Sequence, residues 1–277
     1  MDPLRSVTEP VGRLAKALTR PGTYAGQLRE LASTALTVGL WPLGMTEQLL
    51  APSQPAAGSV ADVPVLLIHG YGANRSNWWY VARRLETAGF DRVHAVNYNP
   101  MKADLPHLAE DLGRRVEQAR AHFGVDQIHL VGHSLGGIIA RYAIQVLGLS
   151  GVNTCATIAS PHGGVALARH VRAVSATGLA TVAHQLRPDA PEMVLLRSSA
   201  RPLPTRFVAY YGNLDLIVPA SRAMVREPEL GATNLLVKDH GHFSMLFSPA
   251  MASSLTAELV AARRDDAATA ASLRPAA

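Results

Sequence analysis

The stretch LVGHSLGGIIA, from Leu130 to Ala140, decides how this sequence is interpreted. It joins a short apolar run typical of a β-strand to a run typical of a helix, and Ser134 stands at the junction. Glycines lie two residues before the serine, at Gly132, and two residues after it, at Gly136. Larger side chains at those positions would collide across a sharp strand-to-helix bend, so the glycines predict such a bend with the serine at its tip.

From Val63 onward, short apolar strand candidates alternate with helix candidates. Continuously apolar strands are typical of a parallel sheet that is covered on both faces. We therefore predict an α/β fold, with a doubly wound, mostly parallel sheet of about six strands, helices on both faces and a small cap. The predicted strands are VPVLLIHG, DRVHAVNYN, QIHLVGH, VNTCATIAS, RFVAYYG and TNLLVK, and the predicted helices cover 77–88, 105–122, 135–147 and about 250–263, the last with Ser248 as N-cap and Pro249 as first residue.

Turn-forming segments divide the chain before this alternation begins. PGTYAG and APSQPAAGSV interrupt the first sixty residues, so we expect 1–60 to form an N-terminal helical appendage and 61–277 to form the main α/β domain. The segment 161–204 is too long for a simple crossover, and we expect a small cap there. One of its helices would start at Asp189, with Glu192 completing a capping box. The other helix candidate carries Val165, Ala168, Val171 and Val174.

Composition and charge exclude several classes of protein. The net charge of +5 comes from scattered arginines without a dense basic run, so we expect no nucleic-acid partner. A hydrophobic content of 48% fits a folded domain rather than a disordered chain. Cys155 is the single cysteine, so the chain can form neither an internal disulfide nor a cysteine-based metal site. We expect neither a metal nor an organic cofactor.

The segment LASTALTVGLWPLGMT, residues 31–46, is uncharged but interrupted by Gly39, Pro42 and Gly44. It falls short of the roughly 20 apolar residues that span a bilayer. We expect a helix that packs on the domain or lies on a membrane surface, with lipid-interface contact through residues 26–50. The late start of the apolar run and the missing A-x-A site argue against a signal peptide. The expected location is cytoplasmic or peripheral at a membrane, with secretion left open.

A serine hydroxyl needs a base within hydrogen-bond reach before it becomes a good nucleophile. The loop after the sixth strand, VKDHGHFSML, offers His240 and His242. We favour His242, because Gly241 gives it a flexible approach and a helix begins soon after. His133 lies inside the bend, where its side chain cannot turn back onto Ser134, and we treat it as a bystander.

The histidine in turn needs a carboxylate to fix its tautomer and to stabilise its charged form. Asp215, in GNLDLIVP after the fifth strand, holds the right position. Asp239 is a competitor, but it lies so close to His242 in sequence that a contact would need a contorted loop. The order Ser134, Asp215, His242 is the one expected of a nucleophile-elbow fold.

Ester cleavage by a serine passes through a tetrahedral oxyanion, which preorganised N–H donors must stabilise through hydrogen bonds. The backbone N–H of Leu135, at the start of the helix, is one candidate. The loop after the first strand, His69-Gly70-Tyr71-Gly72, is a glycine-rich bend, and we assign the second donor to the N–H of Tyr71.

Taken together, the motifs HGYG, GHSLGG, SPHGG, the Asp215 loop and GHFSML resemble the α/β-hydrolase lipases and esterases of bacteria. The resemblance extends from about Val63 to Arg263. It implies an acyl-enzyme mechanism on carboxylic esters, with a lipid or acyl-ester substrate and with triacylglycerol lipase or lipase-like esterase as the nearest type. The antiparallel strands that open the full family sheet have no clear equivalent before Val63, so the chain resembles a reduced version of the fold.

Other functions remain open from the residues alone. A thioesterase, an acyltransferase or a cofactor-free perhydrolase would use the same triad. Dehalogenases and epoxide hydrolases of this fold need a carboxylate where Ser134 stands, which disfavours them. A non-catalytic binding scaffold is the alternative from a different class, although such scaffolds usually lack a triad member and here every role has a candidate.

Overall fold

The computed structural model describes residues 21–45, 63–100, 103–165 and 181–272, without the side chains of 21–22 and 263–272. The cap helix candidate through Ala168, Val171 and Val174 lies outside the described residues. The strands are β1 Val65–Ile68, β2 Val93–Val96, β3 Ile128–His133, β4 Val152–Ile158, β5 Arg206–Gly212 and β6 Thr233–Val237. The helices are α1 Pro21–Leu40, α2 Trp79–Thr87, α3 Leu105–Phe123, α4 Leu135–Gln145, α5 Thr181–Gln185, α6 Pro191–Ser198, α7 Ala220–Ala223 and α8 Pro249–Ser272.

The six strands form one sheet in the order β2-β1-β3-β4-β5-β6, and every pairing is parallel. The predicted sheet is thereby confirmed. The chain moves outward from β1 to β2 and then returns to the other side of β1 at β3. Ligand sites in open α/β sheets form at such a switch point, outside the carboxyl ends of the strands. The loop after β1 and the bend after β3 both lie at this edge.

Helices cover both faces of the sheet, as predicted. On β1, Leu66 and Ile68 belong to one apolar cluster, whereas Val65 and Leu67 belong to the other. The first cluster includes the buried faces of α3 and α4, and the second includes those of α2 and α8. Each strand of a doubly covered sheet must be apolar on both sides, which explains the unbroken apolar runs in the sequence.

Most predicted element boundaries shift by a few residues. The helix predicted over 77–88 is a 3-10 turn, Arg75–Trp78, followed by α2. The last helix extends to Ser272 and begins at Pro249 as predicted. Its N-cap is confirmed, because the Ser248 hydroxyl accepts a 3.3 Å hydrogen bond from the N–H of Met251.

The predicted capping box in the cap segment is wrong. Helix α6 begins at Pro191, and its N-cap is Ala190, which makes no side-chain hydrogen bond. The carboxylate of Glu192 instead accepts a 2.8 Å bond from the side chain of Gln185. Asp189 lies before the helix and faces Arg187 at 3.4 Å. Proline at the first helical position fixes the start two residues after the expected one.

The N-terminal segment lies against the loops at the carboxyl edge of the sheet. Helix α1 contacts the 3-10 turn Ser244–Phe247, and a second 3-10 turn, Trp41–Met45, follows α1 directly. The carbonyl of Gly44 accepts hydrogen bonds from Arg75 at 3.1 Å and from Asn97 at 2.9 Å. Among the described helices, none has the length and apolar character to cross a bilayer. The division of the chain at residue 60 stays a prediction.

Candidate active site

Ser134 lies at the bend between β3 and α4 with a strained backbone. Its φ of 53° and ψ of −121° are unusual for a residue with a side chain and cost about 1–3 kcal/mol. The N–H of Ser134 donates a 2.8 Å hydrogen bond to the carbonyl of Ile158, at the end of β4. This is the strained strand-to-helix turn expected of a nucleophile elbow.

The glycines around Ser134 are required by close backbone approach. A Cβ built on Gly132 would lie 2.4 Å from the nitrogen of Gly137, and one built on Gly136 would lie 2.1 Å from the carbonyl oxygen of Ile68. Real Cβ atoms do not come this near to backbone atoms, so the predicted reason for both glycines is confirmed. Gly137 is needed too, because its Cβ would lie 2.1 Å from the hydroxyl of Ser160.

The structure pairs Asp215 with His242. Nδ1–H of His242 donates to Oδ2 of Asp215 at 2.9 Å, and both side chains are buried. Oδ1 of Asp215 accepts from the backbone N–H groups of Ile217 at 2.9 Å and Val218 at 2.7 Å. The carboxylate is therefore held in one orientation, and its pairing with Nδ1 leaves Nε2 as the basic nitrogen of His242.

The two competing residues are occupied elsewhere. Nδ1 of His240 donates to the carbonyl of Lys238 at 2.8 Å. Asp239 adopts a left-handed backbone with a φ of 59°, and its N–H donates to the side chain of Asn213 at 2.6 Å. Neither His240 nor Asp239 takes part in the buried pair.

His133 contacts His242, although from the sequence it was expected to be a bystander. The centroids of the two rings are 4.8 Å apart, and Nε2–H of His133 donates to the backbone carbonyl of His242 at 3.1 Å. Burial, together with the nearby charge of His242, holds the pKa of His133 well below its usual value. A neutral His133 therefore connects the loop of His242 to the end of β3, one residue before Ser134. In the sequence, only its position next to Ser134 indicated that His133 lies at the site.

The loop after β1 lies directly against the serine. A Cβ built on Gly70 would be 3.0 Å from the Cβ of Ser134. Tyr71 follows in this loop, and Leu135 is the first residue of α4. The backbone N–H groups assigned to the oxyanion thus belong to the two segments that meet beside Ser134.

A stacked pair of rings, which the sequence does not predict, holds this loop. The rings of His69 and Tyr98 are 4.1 Å apart and nearly parallel, and the hydroxyl of Tyr98 donates to the carbonyl of His69. Nδ1–H of His69 donates to the carbonyl of Gly70 at 2.9 Å. Burial lowers the pKa of His69 to about 4, so the ring is neutral at pH 7.

A cleft of about 730 Å³ opens beside the loop after β1. Its lining comes from that loop, from the segment after β2 and from the N-terminal segment. Among the described residues, no group of three or more histidine, cysteine, aspartate or glutamate side chains is arranged to hold a metal ion. The cleft is lined by Trp41, Met45, Gly72, Ala73, Asn74, Asn97, Tyr98, Asn99 and Pro100.

Comparison with known proteins agrees with this architecture. A family described by the alpha/beta hydrolase fold matches residues 63–189. The matched residues make up a little under half of the chain, and the chain has the alpha/beta hydrolase fold. Among solved structures, the lipase BlEst2 of Bacillus licheniformis in its mature form superposes on this chain with a TM-score of 0.55. The superposition covers 70% of this chain and 91% of the lipase at 19% identity, and it supports the fold alone.

Curated relatives of this chain include two bacterial enzymes named triacylglycerol lipase. The one from Burkholderia plantarii is 31% identical over 159 residues, which is 52% of this chain and 44% of the relative. The one from Pseudarthrobacter phenanthrenivorans is 33% identical over 122 residues, which is 41% of this chain and 38% of the relative. The match therefore spans less than half of the length of either lipase.

Proposed function

We propose that this protein cleaves carboxylic esters of acyl chains, as a lipase or esterase, through an acyl-enzyme intermediate. Ser134 would be the nucleophile, His242 the general base and Asp215 the residue that orients His242. The observation that carries the proposal is the buried 2.9 Å hydrogen bond between Asp215 and His242. It lies at the same edge of the sheet as the strained Ser134.

In the first step, Nε2 of His242 takes the proton of Ser134 as Oγ attacks the ester carbonyl. Asp215 accepts Nδ1–H, so it selects the tautomer with a basic Nε2 and stabilises the imidazolium that forms. The backbone N–H groups of Tyr71 and Leu135 hold the oxyanion. Each such donor is worth about 3–4 kcal/mol in the transition state.

In the second step, the imidazolium of His242 gives its proton to the departing alcohol, and the acyl group stays on Ser134 as an ester. A water molecule then donates a proton to His242 and attacks the acyl carbonyl. The second tetrahedral intermediate collapses to the free acid, and the proton returns to Ser134. The cycle needs no redox partner, and its bases and donors all belong to the chain.

Two observations support an acyl ester as the substrate. The curated relatives are named as lipases that act on triacylglycerols. The cleft beside the loop after β1 has a volume of about 730 Å³, within the range of small-molecule sites, and Trp41 and Met45 from the N-terminal segment line it. Hydrolysis rates for 4-nitrophenyl esters from short to long acyl chains would define the preference.

The decisive variant is Ser134→Ala. We expect turnover of a 4-nitrophenyl acyl ester to fall by about four to six orders of magnitude, with the circular dichroism spectrum unchanged. Ser254→Ala is the matched control, because its hydroxyl faces Tyr210 at 3.2 Å on the helix α8 side of the sheet. Turnover retained in Ser134→Ala would overturn the proposal.

We also propose that the outer face of the N-terminal segment contacts a lipid–water interface. Leu31 is 68% exposed and Val38 67% exposed, and such apolar side chains favour an acyl or headgroup boundary. The N-terminal segment also lines the cleft, through Trp41 and Met45. Contact between this segment and a lipid interface would therefore bring the cleft close to lipid substrates. Further exposed apolar residues of the segment are Tyr24, Leu28, Leu36, Trp41, Leu43 and Met45.

Cosedimentation with phosphatidylcholine vesicles tests this contact. We expect the double variant Leu31→Ser with Val38→Ser to bind vesicles several-fold more weakly than the wild type. Leu236→Ser, at an exposed apolar position on the edge strand β6, should bind like the wild type. Equal binding by all three proteins would contradict the contact.

A further inference from the structure

Glu30, on helix α1, binds the loop that carries His242. Oε1 of Glu30 accepts the backbone N–H of Phe243 at 2.8 Å, and Oε2 accepts the N–H of Ser244 at 2.9 Å. These are the two backbone N–H groups that directly follow His242. Bonds from N–H groups to a carboxylate are shorter and stronger than neutral ones, so Glu30 holds this part of the loop with both of its oxygens.

The preceding residue leaves room for that carboxylate. A Cβ built on Gly241 would lie 2.6 Å from both Cδ and Oε2 of Glu30. From the sequence alone, Gly241 indicates a flexible loop. Its contact with Glu30 gives a different reason, because a larger residue there would push the carboxylate away from the N–H groups of Phe243 and Ser244.

A second contact of the same helix fixes the start of the loop. The guanidinium of Arg29 donates to the carbonyl of Asp239 at 2.8 Å. A Cβ built on Gly26 would lie 2.8 Å from that same carbonyl oxygen. Helix α1 therefore holds the loop both before and after His242, through neighbouring residues on one face.

The imidazole of His242 is thus restrained at three points. Asp215 holds Nδ1, His133 holds the backbone carbonyl, and Glu30 holds the N–H groups that follow. Only the contact from Glu30 comes from the N-terminal segment, 213 positions away from Phe243. A displacement of about 1 Å in a catalytic group can cost on the order of 100-fold in rate, so the restraint bears directly on turnover.

We propose that Glu30 is a positioning residue for His242: its carboxylate fixes the loop so that the imidazole faces Ser134. The inference rests on the proposed function, in which His242 is the general base. It makes the N-terminal helix a working part of the active site, although the family match begins only at residue 63.

The test compares Glu30→Gln with Glu258→Gln. Glutamine keeps the shape of Glu30 but replaces one of its two carboxylate oxygens with an NH₂ group. This NH₂ donor would face the backbone N–H of Phe243 or Ser244, so one of the two hydrogen bonds is lost. Glu258 is the matched control, because it is a half-buried carboxylate on α8 that pairs with Arg206 at the start of β5. We expect Glu30→Gln to lower kcat for a 4-nitrophenyl ester about 10- to 100-fold with KM within about twofold. Glu258→Gln should change kcat by less than about twofold, even where it lowers the free energy of unfolding.

A spectroscopic readout separates this inference from the proposed function. The downfield proton resonance of His242 Nδ1–H, assigned by its loss in His242→Asn, should be sharp in the wild type and broadened or lost in Glu30→Ala. If the wild type hydrolyses no ester, the proposed function fails, whereas this resonance still reports on Glu30. If Glu30→Ala does not fold, Gly241→Ala displaces the carboxylate with α1 unchanged. An unchanged resonance, or an unchanged kcat in folded Glu30 variants of an active enzyme, would overturn the inference.

Discussion

Ser134 and His242 are held in two different ways. The bend around Ser134 is set by residues that are close in sequence or lie on neighbouring strands, through backbone contacts that admit only glycine at Gly132 and Gly136. The loop of His242 is set by polar side chains from remote parts of the chain, among them Asp215 and Glu30. Ser134 is thus positioned by packing, and His242 by hydrogen bonds.

This difference predicts different consequences of mutation. Backbone packing in a buried bend contributes to the free energy of unfolding, because the bend forms part of the sheet core. Hydrogen bonds to one loop contribute less to stability, but they determine where the imidazole lies. We therefore expect changes at the bend to lower stability, and changes around the loop to lower turnover.

The largest effect is expected for Asp215→Asn. The amide would favour the wrong tautomer of His242, and kcat should fall by about 10,000-fold with little change in the free energy of unfolding. Ester hydrolysis and urea denaturation measure the two quantities. Asp239→Asn is the control and should change kcat by less than about twofold. A comparable loss in both variants would show that the loop is positioned differently.

The opposite behaviour is expected for Gly136→Ala. Its Cβ would meet the carbonyl oxygen of Ile68 at 2.1 Å, so the free energy of unfolding should fall by about 3 kcal/mol or more. Gly113→Ala is the matched control, since a Cβ there meets nothing within 4 Å and should stabilise α3 by about 0.5–1 kcal/mol. Urea denaturation that finds Gly136→Ala as stable as the wild type would contradict the packing account of the bend.

The free energy of unfolding should depend on pH through His69, in the loop after β1. The pKa of His69 is lowered to about 4 by burial, whereas the unfolded chain binds this proton at about pH 6.5. Stability should therefore be full above pH 6.5 and decline as the pH falls toward 4, by about 2 kcal/mol between pH 7 and pH 5. Urea titrations of the wild type and His69→Gln isolate the contribution, because the other buried histidines remain in both. Equal pH slopes would show that His69 is not held neutral.

The smallest effect is expected for Ser248→Ala. Loss of the N-cap of α8 should cost about 1 kcal/mol of stability and leave kcat unchanged. This residue directly follows the 3-10 turn that Glu30 holds. Thermal denaturation and ester hydrolysis would therefore show whether a loss of stability near the loop is enough to slow turnover. A fall in kcat comparable to that of Glu30→Gln would weaken the distinction between packing and positioning.

The sequence predicted what depends on local pattern. The G-x-S-x-G spacing identified the bend, the unbroken apolar runs identified the parallel sheet, and Ser248 with Pro249 marked the start of α8. The placements of Glu30 and His133 could not be predicted, because each depends on a contact across the fold that leaves no periodic trace. The capping box at Asp189 failed for a local reason, since Pro191 sets the helix start itself.

Labelling with a fluorophosphonate tests the central claim most directly, because the probe reacts only with an activated serine. The account predicts a single adduct on Ser134, located by peptide mass spectrometry, and a labelling rate about 1,000-fold lower in His242→Asn. An unlabelled wild-type protein, or an adduct that forms equally fast without His242, would contradict it.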